Sequence, residues 1–372
     1  MNSSPIQPDL LKTRQHFEIL DGLRGIAAIS VVIFHFMEII IPQFSDNLIA
    51  HAYLAVDFFF CLSGFVIAYA YDKRIRILGT WEFFKLRLIR LHPLVVIGSV
   101  IGLVAFILDP FSDLYKVYGF GKTMIMFITS CFMIPYPIVS ERFYNLFHLN
   151  APAWSLFYEY IANIFYAVIF FRLRKKILWL LVVVAAGLLF FEANRSGHLV
   201  VGWGYETFWG GPIRVFFSFL AGMLVYRSNW IIRSSIGFPV IALLLIMGFL
   251  FPFIDGYAQF TDPLLVAIYF PIIIALGAGG KLNPVYKKLC RFLGDISYPL
   301  YMVHYPFIWI FLSYVEKEKP GMQQYMIIVP IAVILLIAFA YLVMITLDAP
   351  IRSYLTGKMK RKMEERKVFS GS

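Results

Sequence analysis

The sequence predicts an all-α, polytopic membrane protein, and three observations carry that prediction. Of the 372 residues, 60% are hydrophobic and only 15% are charged, against roughly 45–50% and about 25% in a soluble domain. The mean hydropathy is +0.76. The apolar residues also gather into runs close to the ~20 residues that a helix needs to cross a bilayer. Together these exclude a soluble globular enzyme, a disordered chain and a disulfide-framed secreted domain. Cys61, Cys131 and Cys290 are scattered without metal-ligand spacing and read as packing residues, so no metal site is expected.

The chain opens with a polar segment, 1–18, that has no signal-peptide pattern and is placed in the cytosol. Apolar runs follow near 20–41, 52–70, 92–109, 121–137, 153–171, 177–192, 209–227, 237–254, 263–279, 294–314 and 325–347. Charge decides which of them cross, because Lys and Arg accumulate on cytosolic loops. If 121–137 does not cross, the basic loops around 172–176, 227–235 and 280–291 and the tail fall on the same side as Lys73, Arg74, Arg76, Lys85, Arg87 and Arg90. Seven basic residues are left outside: Lys116, Lys122, Arg142, Arg195, Arg214, Lys317 and Lys319. The prediction is therefore ten transmembrane helices with both termini cytosolic, and 121–137, which contains Pro135 and Pro137, as a re-entrant or interfacial piece. The membrane domain covers 19–352, and 353–372 forms a basic cytosolic tail that reads as a helix at the anionic lipid surface or as a plain orientation signal. The net charge of +11 is thus an orientation signal first, and nucleic acid is not an expected partner.

Ionisable residues inside a span are costly and point to function. In the first span Arg24 and His35 are eleven residues apart, so they share one face, about 16 Å apart along the axis. The second span opens with Asp57 and carries Ser63-Gly64. Asp57 enters at the depth of His35, and Ser63-Gly64 serves either the site or close helix packing. Arg87 and Arg90 lie on one helix face before the third span, suited to clamping phosphates or to orienting the chain. Trp154-Ser155-Leu156-Phe157-Tyr158-Glu159 begins the next span. Its Glu159 needs a partner at that depth, for which His35 is the candidate. His304 lies mid-span between Pro299 and Pro306, which fits a broken helix beside a cavity or a core histidine. Asp348 and Arg352 read as a helix-end pair.

In this order the stretches resemble acyltransferase family 3. Arg24 to His35 is similar to its Arg-ten-residues-His motif, and Phe59-Phe60-Cys61-Leu62-Ser63-Gly64 to its Phe-Phe-x-x-Ser-Gly. Arg87-Leu88-Ile89-Arg90 resembles its Arg-x-x-Arg, and Trp154 to Glu159 its Trp-Ser-Leu-x-x-Glu. The likeness runs from about Leu20 to Arg352 and includes Ile296 to Pro306. His92 and Asp348 stand where the family more often has an aromatic residue and a glutamate.

The resemblance implies a multi-pass protein of the cell inner membrane. It would transfer an acyl group, taken as acetyl, from cytosolic acyl-CoA (acetyl-CoA) to a hydroxyl of an extracytoplasmic glycan, such as a lipopolysaccharide O-antigen or an exopolysaccharide. Arg24, Arg87 and Arg90 would hold the donor phosphates. His35 would be the general base or a transient acyl carrier, oriented by Glu159 and Asp57, with Ser63, Trp154, Ser155 and His304 in support. The rival class is a proton-coupled secondary transporter, in which the same buried His, Asp and Glu relay protons.

Overall fold

The computed structural model describes residues 17–370; of the segment predicted at 1–18, all but Phe17 and Glu18 lies outside them. Helices dominate, and among the described residues there are only two isolated β-bridges, Asn145 with Gly204 and Ser234 with Gly280. In chain order the main helices are α1 (Glu18–Ile40), α2 (Ala55–Tyr71), α3 (Thr80–Leu108), α4 (Leu114–Cys131), α5 (Ala153–Val168), α6 (Lys175–Ser196) and α7 (Gly210–Arg227). They continue as α8 (Phe238–Phe249), α9 (Ala258–Gly279), α10 (Pro284–Val303), α11 (Tyr305–Glu318), α12 (Met322–Val343) and α13 (Ala349–Ser370).

Six helices among the described residues are long and apolar enough to cross a bilayer by length and composition: α1, α2 with its preceding turn from Ala50, α3, α6, α9 and α12. Large apolar side chains on α12, among them Ile327, Ile331, Ile334 and Leu335, face outward, as they do where the solvent is hydrocarbon. This is a multi-pass membrane protein. The segment expected to be re-entrant or interfacial is helical as far as Cys131, within a helix kinked at Gly119 (φ +69), and irregular beyond. The basic tail is helical too, but it is continuous with the last span. A widened turn, Met344–Asp348, joins α12 to α13, and Asp348 pairs with Arg352 at 2.7 Å.

Two closely packed helix pairs organise the interior. α1 runs along α10, and α2 along α7. Small residues let the backbones touch. A Cβ on Gly25 would lie 2.5 Å from the Leu293 carbonyl oxygen, and one on Gly64 would lie 2.0 Å from that of Phe219. Gly64 therefore serves packing, while its neighbour Ser63 points to the site below.

The stretch with two prolines breaks where expected. Pro299 lies within α10, and the chain turns at His304 into α11, with Pro306 in its first turn. Proline has no N–H to return to the preceding turn, which leaves the Met302 carbonyl free. Asn150 Nδ2 donates to it at 3.0 Å. The break thereby ties the segment before α5 to α10.

Candidate active site

His35 sits in the second half of α1 with its side chain 19% exposed. Its Nδ1 is 2.6 Å from Glu38 Oε1. A carboxylate only accepts, so a neutral ring held this way carries its proton on Nδ1 and presents Nε2 as a lone pair. The His304 ring stacks on it at 5.4 Å between centroids and 21° between planes, and Tyr305 meets it edge-on at 4.7 Å. His304 is completely buried. Its Nδ1 donates to the Leu300 carbonyl at 3.0 Å, and its Nε2 has no partner among the described residues.

Glu159 takes a different partner from the one the sequence suggests. Its Oε1 accepts from Arg87 Nη2 at 2.8 Å and from Ser63 Oγ at 2.9 Å. The guanidinium of α3 faces α5 at that level, and in a low-dielectric interior a permanent cation outcompetes a neutral imidazole for a carboxylate. Arg87 is thus engaged by Glu159 rather than free. Its burial says the same.

Asp57 is also not next to His35. Both of its oxygens accept from Arg214, at 3.2 Å from Nε and 2.5 Å from Nη2, and the pair is fully buried between α2 and α7. Arg214 further donates to the carbonyls of Val201 and Tyr53 and lies 5.3 Å from the Trp154 ring centre. Trp154 therefore belongs to this ion-pair cluster, and Arg214, counted from sequence among the outer charges, lies inside a helix. Ser155 bonds to the Tyr301 hydroxyl at 2.8 Å, and the Tyr301 ring is 5.9 Å from that of His304.

On the donor side expected from sequence, Arg24 is held to α10. Its Nε donates to Ser297 Oγ and its Nη2 to the Gly294 carbonyl, both at 2.8 Å, with Asp21 at 3.3 Å. Arg90 differs: it is exposed and has no hydrogen bond or ion pair among the described residues, although Arg24, Arg87 and Glu159 lie within electrostatic reach.

The structure thus brings His35 and His304 together, with Ser155 one contact away, and separates Glu159 and Asp57 into two other ion pairs. Sequence reasoning missed Glu38 and Arg214. Glu38 was within reach of pattern alone, since it stands three residues after His35 on the same helix face. Arg214 had no such local signal.

The family model for the acyltransferase domain of acyltransferase family 3 matches residues 17–345. This chain belongs to acyltransferase family 3. Membership supports membrane acyltransferase chemistry and favours it over the transporter reading. One curated relative is "Protein 2 in picA locus" of Rhizobium radiobacter, 36% identical over 162 residues, which are 41% of this chain and 82% of that protein. No solved structure matches.

Proposed function

We propose that this family member is an O-acyltransferase that moves an acetyl group from cytosolic acetyl-CoA to a hydroxyl of an extracytoplasmic carbohydrate, an O-antigen or exopolysaccharide, in the cell inner membrane. The observation that carries it is the Glu38–His35 pair, which fixes the tautomer and leaves Nε2 available as a base. His35 Nε2 takes the proton of the acceptor hydroxyl as its oxygen attacks the thioester carbon. The C–O bond forms, the C–S bond breaks, and the imidazolium returns the proton to the departing thiolate. His35 as a transient acyl carrier is the variant of the same reading. Arg90, which has no hydrogen bond or ion pair among the described residues, is the donor-phosphate contact, with Arg24 and Arg87 shaping the field around it.

The topology that goes with this reading is ten crossings with cytosolic termini. It adds α5, α7, α8 and the broken α10–α11 to the six long apolar helices. His35→Ala removes the base and is expected to lower transfer by about two to four orders of magnitude, while the protein still inserts and extracts as a monodisperse species. The measurement is incorporation of labelled acetyl-CoA into membrane glycan. Normal labelling by His35→Ala membranes sinks the mechanism.

A further inference from the structure

His304 holds a lone pair with nothing to bind. Its Nδ1 faces a carbonyl, which can only accept, so the proton sits on Nδ1 and Nε2 is a bare acceptor. The residue has no exposed surface, so water does not relieve it, and an unmet buried acceptor costs free energy that a fold retains for a reason. A proton on His304 would sit unsolvated and face to face with His35, which itself charges during the reaction. What suits Nε2 is a neutral N–H donor.

We propose that Nε2 of His304 receives the amide N–H nearest the thioester in the donor's pantetheine arm. This rests on the acyl-CoA reading above and assigns a donor-positioning residue within it. In a thioester of coenzyme A, two methylenes and the sulfur separate that amide nitrogen from the reacting carbon. That span is comparable with the 5.4 Å between the two imidazole centres. With the amide on His304, the acyl carbon comes to rest at His35. An amide N–H in a dry channel needs such an acceptor, since burying it unpaired is unfavourable. The broken helix supplies the position: His304 stands at the turn between α10 and α11, and His35, partly exposed beside it, marks the side from which the arm arrives.

The test uses two truncated donors and membranes carrying the overproduced full chain, from a host lacking its own copy, with their own glycan as acceptor. One donor is the acetyl thioester of N-acetylcysteamine, which keeps the amide. The other is the acetyl thioester of 2-mercaptoethyl acetate, in which an ester oxygen replaces the N–H. The wild type is expected to favour the amide donor by about tenfold in kcat/KM, mostly through KM. His304→Phe should bring the amide donor down to the level of the ester, and His304→Gln, which offers an amide oxygen, should keep part of the preference. A wild type without preference, a preference that survives in His304→Phe, or a His304→Phe effect confined to the acceptor's KM or the pH profile overturns the assignment. The wild-type comparison needs no variant to fold. Absence of transfer from acetyl-CoA itself would instead sink the transferase reading.

Discussion

The Asp57–Arg214 cluster and the His35–His304 cluster are both polar and both set among membrane helices, yet their hydrogen-bonding states are opposite. Around Arg214 the polar groups find partners: two carboxylate oxygens, two backbone carbonyls and an aromatic face. Around His35 and His304 two imidazole nitrogens are fixed by acceptors, so the other two are left as lone pairs. A saturated cluster holds helices together; one that keeps lone pairs open has room for a reactant. Depth and charge alone did not separate these roles, since Asp57 and His35 looked alike by that measure.

That contrast can be broken experimentally. The largest stability effect is expected where the saturated cluster loses one member. Arg214→Met strands a buried carboxylate and should cost about 3–5 kcal/mol, read as a large drop in the thermal midpoint of the detergent-solubilised protein. The double variant Arg214→Met with Asp57→Asn should recover part of it, because no charge is left unpaired. If the single variant is as stable as the wild type, the cluster is not a structural fastener.

On the catalytic side, Glu38→Gln keeps the size of the side chain but lets an amide N–H face the ring and favour the wrong tautomer. Transfer should fall by about ten- to a hundredfold with stability nearly unchanged, as measured by labelling rate beside a thermal melt. An unchanged rate would mean that the carboxylate plays no part in orienting His35. The smallest effect belongs to Arg90→Ala. The side chain is exposed and has no ion pair among the described residues, so stability should stay within about 0.5 kcal/mol, while the KM for acetyl-CoA rises several-fold at constant kcat. An equal loss in kcat would move Arg90 from donor binding to chemistry.

Much of the architecture was legible in the sequence because the bilayer imposes it. Run length and hydropathy located the helices, and the proline spacing located the break at His304. The partners of the buried charges were not legible. Glu159 meets Arg87 across 72 residues, and Asp57 meets Arg214 across 157. Which helix faces which at a given depth follows from packing of small residues, and a single sequence does not state it. The same ordered motifs singled out His35 but not the carboxylate that it meets, Glu38. The search for a partner went to distant spans, while Glu38 lay one turn away on the same helix.

The glycine contacts at Gly25 and Gly64 set how stiff the bundle is. Backbones in direct contact at Leu293 and Phe219 cannot slide or separate without clashes or an empty gap, since packed interiors do not deform continuously. α1 with α10, and α2 with α7, therefore behave as two stiff blades. The two blades meet where the Phe59 ring of one rests on the Tyr301 ring of the other at 5.7 Å. The Tyr301 ring also lies 5.9 Å from that of His304, so the contact between the blades borders the paired histidines.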